Sequence, residues 1–241
     1  MITVFTSCYN QGKYLSEAIE SILAQSFEYF EYLLYDDGST DNTWDIIQHY
    51  AALDRRVVPI RVEKQKNVGY VINMSIERMK GDFWTWCPSD DVWTPDLLKV
   101  KMATSIAFGH NCIIYSDWEV IQDNGDHHIF VKPRIPPAIF EKEVWRRAPI
   151  CFTGIWVPKH VFEIAGMFPT HLQFSEDFYW MIKTVIHGIR YWGIPQVLHK
   201  KRVHNGQMTK KNLSAILDQM SAIWIELKKY QRKLYDQRMV D

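Results

Sequence analysis

Apolar positions along the chain alternate between short unbroken runs and segments with helical spacing. Apolar runs of strand length occupy residues 2–8, 32–35, 57–62 and 83–86. Each run is followed by a turn and then by a segment in which apolar residues recur every three or four positions, as Leu15, Ile19, Ile22 and Leu23 do. Strands that alternate with helices in this way predict a parallel, doubly wound α/β sheet.

The remaining helices of this half are predicted from their apolar spacing and from the residues at their ends. One is expected over residues 42–53, and the next is expected to end near residues 80–81. Thr94-Pro95-Asp96 is typical of a helix start, because it offers an N-cap, a proline at the first helical position and an acid in the first turn. We therefore predict a fourth helix from this point, which carries Leu97, Leu98, Met102 and Ile106.

Acidic pairs follow two of the predicted strands. Asp36-Asp37 follows the second strand and Asp90-Asp91 follows the fourth. The carboxyl ends of parallel strands share one edge of the sheet, where open α/β folds bind ligands, so we expect these four carboxylates to converge. Hard oxygen ligands gathered in this way suit Mg²⁺ or Mn²⁺ held together with substrate phosphates. The alternative for each pair is a solvated turn that caps the following helix.

The second half of the chain has a different pattern and predicts mixed α/β structure. Apolar segments at residues 112–115 and 128–131 flank Asn124-Gly125, a dipeptide typical of a hairpin turn. We expect a proline-rich loop at residues 133–137 and a short helix at about residues 140–147. The sequence has no low-complexity linker and no internal repeat. We therefore predict one domain over residues 1–241, composed of two halves, 1–110 and 111–209, and a helical tail, 210–241.

The tail is predicted to form one long helix over residues 213–238. Its apolar residues form a stripe, and basic residues lie beside that stripe: Leu213, Leu217, Met220, Trp224, Leu227 and Leu234, with Lys228, Lys229, Arg232 and Lys233. Packing on its own domain is the interpretation we favour, because any docked helix shows an apolar stripe. Peripheral contact with a membrane and formation of a homodimer are the alternatives.

Composition narrows the class of protein. A chain of 241 residues with 47% hydrophobic residues can bury a substantial core. Lys plus Arg equals Asp plus Glu at 28 each, so no overall charge draws the protein to nucleic acid. The four cysteines are widely separated, which predicts reduced thiols rather than a metal site. Because the chain enters a strand at once and has no apolar run of membrane-spanning length, we expect a cytoplasmic protein, whose membrane contact would be peripheral.

Several motifs together resemble those of family 2 glycosyltransferases with the GT-A fold. The matching segments keep their order and spacing from about residue 2 to residue 209, and they are residues 5–10, 21–27, 35–41, 67–69 with Asn73, 80–82, 89–91, 166–168 and 175–177. The most specific of them is Asp36-Asp37-Gly38-Ser39-Thr40-Asp41 between a strand and a helix. Ser89-Asp90-Asp91 stands where the family has Asp-x-Asp, with Ser in the first position.

The resemblance implies an inverting transfer of sugar from a nucleotide diphosphate sugar, most simply a UDP-sugar, to a hydroxyl of a glycan or lipid-linked acceptor. It assigns donor binding to residues 1–110 and acceptor binding to residues 111–209. The implied donor-binding residues are Thr6, Ser7, Tyr9, Asp37, Lys66, Asn67, Gly69, Asn73, Asp90, Arg202 and His204. Asp91 is the implied ligand of Mn²⁺ or Mg²⁺. Asp177 is the implied general base, kept ionised by the start of a helix, and Glu176 is the alternative.

Other candidate contacts have simpler alternatives. Lys64 and Lys66 precede a glycine turn and a helix start, where cations suit phosphate, but both can equally be exposed loop residues. His199 lies in the basic segment with Arg202 and His204, and it can equally be a surface residue. Among the tryptophans, Trp93 and Trp156 are the candidates for stacking on sugar.

Two other functions compete with sugar transfer. A sugar-nucleotide pyrophosphorylase has a similar sheet, but it ordinarily needs a glycine-rich basic loop that residues 6–12 do not form. A nucleotide-sugar binding module without turnover would keep the fold alone, and the acids at positions 37, 91 and 177 argue against it.

Overall fold

The computed structural model describes residues 1–63, 66–123, 127–128, 137–146 and 150–238. The first half contains the predicted parallel strands, which lie in the order β3-β2-β1-β4: β1 (Ile2–Cys8), β2 (Phe30–Asp36), β3 (Val57–Arg61) and β4 (Phe83–Trp86). Cys8 pairs with Asp36, so these two strands end level with each other. The predicted α/β fold with its parallel sheet is therefore confirmed.

The helices between these strands also follow the prediction, with α1 (Leu15–Leu23), α2 (Thr43–Leu53), α3 (Val68–Arg78) and α4 (Leu97–Ala107). The predicted start of α4 was too early. The helix begins at Leu97 with Asp96 in the N-cap position and no side-chain cap, while the Thr94 hydroxyl donates to the carbonyl of Leu198 at 3.0 Å. Ile106, at the far end of α4, is exposed rather than buried.

The chain from residue 92 onward adds antiparallel and parallel strands to the same sheet. They are β5 (Val92–Trp93), β6 (Cys112–Gln122), β7 (His127–His128), β8 (Trp156–Pro158) and β9 (Arg190–Val203). The sheet continues from β4 as β8-β6-β9-β5, with β7 beside β6. The pairing of β6 with β7 is antiparallel, as the predicted hairpin requires. Asn124-Gly125, residues 129–131 and residues 133–136 lie outside the described part of the chain.

The two-residue strand β5 was not predicted, and it positions the acidic segment. Val92 pairs with Lys200 and Trp93 with His199, so the chain just after Asp91 is fastened to β9. Two residues are too few to show a strand-like alternation in a sequence. This short pairing brings the end of β4 next to a strand that is more than one hundred residues away in sequence.

Helices cover both faces of the sheet, as the doubly wound prediction requires. One face packs against α1, α2 and α4, and the other against α3 and three further helices, which are α5 (Pro137–Val144), α6 (Lys159–Ala165) and α7 (Glu176–Ile186). The α5 helix starts earlier than predicted. Trp93 and Trp156 are 2% and 0% exposed and belong to the core, so the prediction that they stack on sugar is wrong.

The tail forms a short helix, α8 (Met208–Lys211), and then a long one, α9 (Leu213–Arg238). Ile223 and Leu227 of α9 are buried in the main core, which confirms that the helix packs on its own domain. The Tyr179 hydroxyl of α7 donates to Glu226 at 3.0 Å across this contact. Within the described residues, no helix is both long and apolar enough to cross a bilayer.

Helix α3 is clamped onto the loop that precedes α7. The Asn67 amide donates to the carbonyl of Thr170 at 2.5 Å, and Asn73 exchanges two hydrogen bonds of 2.9 and 3.0 Å with the backbone of Phe168. A Cβ on Gly69 would lie 2.3 Å from the carbonyl oxygen of Pro169, so only glycine fits there. Three of the predicted donor-binding residues therefore join the two halves of the domain.

We predict that Gly69→Ala lowers the free energy of unfolding by about 1–3 kcal/mol, because the added methyl must push the α3 start away from Pro169. Chemical denaturation measures the loss. Glu77→Ala, at an exposed position of the same helix, serves as the control and should change stability by less than about 0.5 kcal/mol. Equal effects of the two substitutions would contradict the close contact at Gly69.

Candidate functional site

A cavity of about 920 Å³ opens at the carboxyl ends of β1 and β4. Eight of the predicted site residues line it: Ser7, Tyr9, Asp37, Lys66, Asp90, Asp91, Asp177 and His204. This is the sheet edge at which open α/β folds bind ligands. Candidate groups from both halves of the domain therefore share one space.

The two acids after β2 have different environments. Asp36 is fully buried, and its carboxylate accepts from the Ser39 amide at 3.0 Å and pairs with Arg61 at 3.2 Å. It shapes the turn and does not line the cavity, so the prediction that all four acids converge is wrong for Asp36. Asp37 does face the cavity, and it accepts from the backbone amide of Lys66 at 2.9 Å. Burial raises the pKa of Asp37 to about 6.

The pair after β4 is held by the second half of the chain. Asp91 is 2% exposed, and its two oxygens accept from the Thr153 hydroxyl at 2.5 Å and from the Arg202 amide at 2.8 Å. The Asp90 carboxylate lies 3.1 Å from Nε2 of His204. Burial first, and then the neighbouring Asp90, raise the pKa of Asp91 to about 7. A positive charge near Asp91 would favour its ionised form.

The acidic pair suits a divalent cation. Mg²⁺ and Mn²⁺ are commonly held by one or two carboxylates and completed by substrate phosphates. A carboxylate oxygen can accept from two directions, so the hydrogen bonds at Asp91 leave coordinating capacity. The described residues contain no cluster of three or more metal-binding side chains. An ion held by two carboxylates and completed by substrate phosphates does not require such a cluster. Asp90 and Asp91 are thus the residues that fit such an ion.

Two predicted donor contacts have structural roles instead. Thr6 is fully buried, donates to the carbonyl of Cys87 at 2.7 Å and accepts from the Tyr32 hydroxyl at 3.0 Å. Arg202 is 8% exposed, and its guanidinium donates to the Asp90 carbonyl at 2.9 Å and to Glu17 at 2.5 Å. Neither side chain lines the cavity. Like Asn67, Gly69 and Asn73, Thr6 and Arg202 therefore position the side chains that line the cavity.

The candidate base lies at the start of α7. Glu176 and Asp177 both line the cavity, where Glu176 is 5% exposed and Asp177 is half-buried. Burial and the charge of Asp177 raise the pKa of Glu176 to about 8. Burial also raises the pKa of Asp177, although the Phe178 amide, which donates to it at 2.7 Å, and Lys201 oppose the rise. Burial therefore outweighs the helix start that was expected to keep Asp177 ionised.

Two lysines of the site were missed. Lys201 lines the cavity, and its pKa is raised by the electrostatic influence of Cys151 and of the carboxylates of Asp91, Asp177 and Asp90. Lys201 and Arg202 are adjacent in β9, and adjacent residues of a strand point to opposite sides. This alternation was the available sequence signal for Lys201. Fully buried Lys101 donates to the carbonyl of Gly154, next to Thr153, and no sequence signal distinguishes it from a surface lysine of α4.

The other candidates can be placed as well. His199 is fully buried, with Nδ1 3.3 Å from the Ser116 hydroxyl, so it is neither a surface residue nor a cavity group. Lys66 is exposed at the cavity rim, and Lys64 lies outside the described residues. The tryptophans that line the cavity are Trp86 and Trp118, rather than Trp93 and Trp156.

The fold and this sheet-edge site define a glycosyltransferase of the GT-A fold. Residues 3–159 match the sequence model of glycosyl transferase family 2, and the chain belongs to that family. An uncharacterised glycosyltransferase of Rickettsia typhi is 26% identical over 245 residues, which cover 100% of this chain and 74% of the relative. The resemblance in the sequence is thereby confirmed at the level of family, fold and enzyme class.

Solved structures share the fold at low identity. Staphylococcus aureus TarS 1–349 in complex with UDP-GlcNAc aligns with a TM-score of 0.66 and 20% identity, over 86% of this chain and 59% of that chain. The mannosyltransferase PcManGT from Pyrobaculum calidifontis, in complex with GDP-Man and Mn²⁺, aligns with a TM-score of 0.71 and 16% identity, over 93% and 64%. This chain thus spans less than two thirds of either solved chain.

We predict that Glu176→Gln stabilises the protein more at high pH than at low pH. Folded Glu176 keeps its proton up to about pH 8, whereas an unfolded glutamic acid loses it near 4.5, so the stability of the unmodified protein falls as pH rises between these values. Glutamine has no such loss. The gain in Tm at about pH 8 should exceed the gain at about pH 5 by roughly 2 °C or more.

Thermal unfolding at both pH values measures this difference. Glu163→Gln, at an exposed position of α6, is the control and should show no pH-dependent change. A Glu176→Gln gain that is the same at both pH values would show that Glu176 ionises normally.

Proposed function

We propose that the protein is an inverting glycosyltransferase that moves a sugar from a UDP-sugar to a hydroxyl of a glycan or lipid-linked acceptor. The observation that carries the proposal is the convergence in one cavity of Asp37, Asp90-Asp91 and Asp177. An in-line displacement needs a grip on the nucleotide, charge at the leaving diphosphate and a base on the far side of the sugar. The residues of this cavity can supply each of these.

The nucleoside end is assigned to Asp37, Lys66, Ser7 and Tyr9. Ser7 lies in β1 and Asp37 directly follows the neighbouring strand β2, so both are at the same edge of the sheet. The Asp37 carboxylate can accept the imide hydrogen of uracil, while Lys66 lies at the rim. Support comes from the fold relatives, since TarS was solved with UDP-GlcNAc and PcManGT with GDP-Man.

The diphosphate end is assigned to Asp90 and Asp91, which would hold Mn²⁺ or Mg²⁺. When bound, such an ion acts as a Lewis acid on the leaving diphosphate. The Mn²⁺ complex of PcManGT supports this use of the site. The Lys201 ammonium and the His204 imidazole line the same part of the cavity wall and can bind phosphate oxygens directly.

The two carboxyl groups of α7 are suited to different tasks. With its pKa near 8, Glu176 is protonated at neutral pH and cannot accept a proton. Asp177 is the more exposed of the two and is assisted in ionising by the Phe178 amide and Lys201. In the proposed step the acceptor oxygen attacks the anomeric carbon, Asp177 takes the hydroxyl proton, and the bond from that carbon to the diphosphate oxygen breaks.

Acceptor-dependent release of UDP tests the function as a whole. A thermal-shift screen with UDP-, GDP- and dTDP-sugars in the presence of Mn²⁺ identifies the donor, and transfer is then assayed with that donor. A pyrophosphorylase would instead consume diphosphate together with a nucleotide sugar, or release diphosphate in reverse. A binding module would bind the donor and release nothing.

We predict that Asp91→Asn binds UDP weakly and that Mn²⁺ restores tight binding only to the unmodified protein. Calorimetry with and without a chelator measures this dependence. Because Asp91 also accepts two protein hydrogen bonds, Tm is measured in parallel to confirm folding. Asp45→Asn, an exposed position of α2, is the control. Equal UDP affinity with and without chelator would remove the metal from the proposal.

We predict that Asp177→Asn retains UDP binding and loses transfer by about 10²–10⁴-fold, the usual contribution of a general base. Glu176→Gln should lose less, because glutamine resembles the protonated side chain that is present at neutral pH. Single-turnover transfer rates and UDP affinity are compared for the two variants. A greater loss in Glu176→Gln would exchange the roles of the two residues.

A further inference from the structure

Helix α9 carries apolar side chains on two adjacent faces, and only one of them is buried. Ile223 and Leu227 lie in the core. Leu213, Leu217, Trp224 and Tyr235 are 56%, 56%, 43% and 65% exposed. They are separated by four, seven and eleven residues, which are close to one, two and three helical turns, so they form a second stripe along the helix. We call this stripe, together with the cleft beside it, the α9 surface.

The cleft lies between α9 and α5 and has a volume of about 550 Å³. Its lining combines apolar, aromatic and basic side chains, among them Ile139, Lys142, Trp145, Arg146, Trp224 and Lys228. The ammonium of Lys228 lies 4.3 Å from the ring centre of Trp145 and 5.7 Å from that of Trp224. The α9 surface therefore presents tryptophan rings with cations at their faces.

The charge of the α9 surface limits what can cover it. Lys142 and Lys228 are exposed, and Arg146, although 3.5 Å from Glu143, keeps a side chain that is 77% exposed. A second copy of this chain placed symmetrically on the surface would bring these cations together, and such like-charge contacts are unfavourable. An anionic partner complements them. Tryptophan and lysine suit a membrane interface because each has an apolar body and a polar end, and exposed leucines lie next to them here.

We infer that the α9 surface docks on an anionic lipid bilayer, with the helix lying in the plane of the interface. The exposed leucine, tryptophan and tyrosine side chains enter the boundary between headgroups and acyl chains, and Lys142, Arg146 and Lys228 contact anionic headgroups.

Docking in this orientation would bring the bilayer beside the cavity. Asn212, Ile216 and Met220 of the same helix region line that cavity, and Leu213 and Leu217 directly follow Asn212 and Ile216 in sequence. This step rests on the proposed function: a lipid-linked acceptor held in the bilayer would enter the cavity at the first turns of α9.

Co-sedimentation of the full chain with vesicles tests the docking. We expect binding to vesicles of equal parts phosphatidylcholine and phosphatidylglycerol, weak binding to phosphatidylcholine alone, and release in about 1 M salt, where the Debye length is near 3 Å. Leu217→Asp should weaken binding at least tenfold. Lys228→Glu should weaken it at least about fivefold, the usual contribution of one basic residue at an anionic surface. UDP binding and Tm should stay unchanged in both variants.

Leu53→Asp is the matched control, since Leu53 is an exposed leucine of α2 on the opposite face of the sheet. Three results would overturn the inference: no binding of the unmodified protein to anionic vesicles, equal loss of binding in Leu53→Asp and Leu217→Asp, or a concentration-dependent dimer that Leu217→Asp abolishes. Vesicle binding is measured without donor or acceptor. An inactive protein that binds vesicles would contradict the proposed function alone, and an active one that does not bind would contradict the docking alone.

Discussion

Repulsion among buried carboxylates that share one cavity is the constraint on which the rest of the site depends. Buried acids resist ionisation, and neighbouring negative charges increase that resistance. Fixed hydrogen-bond donors of the protein, rather than bulk water, stabilise these carboxylates. Backbone amides of Lys66 and Arg202 donate to Asp37 and Asp91, and Lys201 lies among the remaining acids. These donors keep the acids in place, and the charge still uncompensated favours cations in the cavity.

The same constraint explains why distant segments meet at the site. Asp91 follows β4, but the groups that satisfy its oxygens belong to β9 and to the residues before β8. The pairing of β5 with β9 makes this meeting possible. The clamp between α3 and the loop before α7 acts in the same way on the other side, because it fixes the helix that carries Glu176 and Asp177. Several residues that the family resemblance assigned to donor binding thus act by positioning other residues of the site.

Packing also explains why Glu176 and Asp177 differ in how readily they ionise. The two acids are adjacent in sequence and have similar ordinary pKa values. The deeper one, Glu176, is almost without contact with solvent, and its pKa is raised to about 8. Asp177 is more exposed and has a backbone amide and Lys201 to favour its ionised form. Burial therefore keeps Glu176 neutral at neutral pH, whereas Asp177 has partners that oppose the rise of its pKa.

The sequence by itself determined the parallel half of the sheet, its helices and the meeting of Asp37, Asp90, Asp91 and Asp177 in one cavity. Local apolar periodicity and strand direction suffice for the sheet and for Asp37, Asp90 and Asp91, because carboxyl ends of parallel strands share an edge, whereas Asp177 was identified through the family resemblance. Only the tertiary structure decided which polar side chains face the cavity. Asp36 and Asp37, or Lys201 and Arg202, are neighbours of like type, and long-range contacts turn one inward and the other away. The burial of Trp93, Trp156 and His199 was decided in the same way, since the depth of a side chain depends on strands paired across the whole sheet.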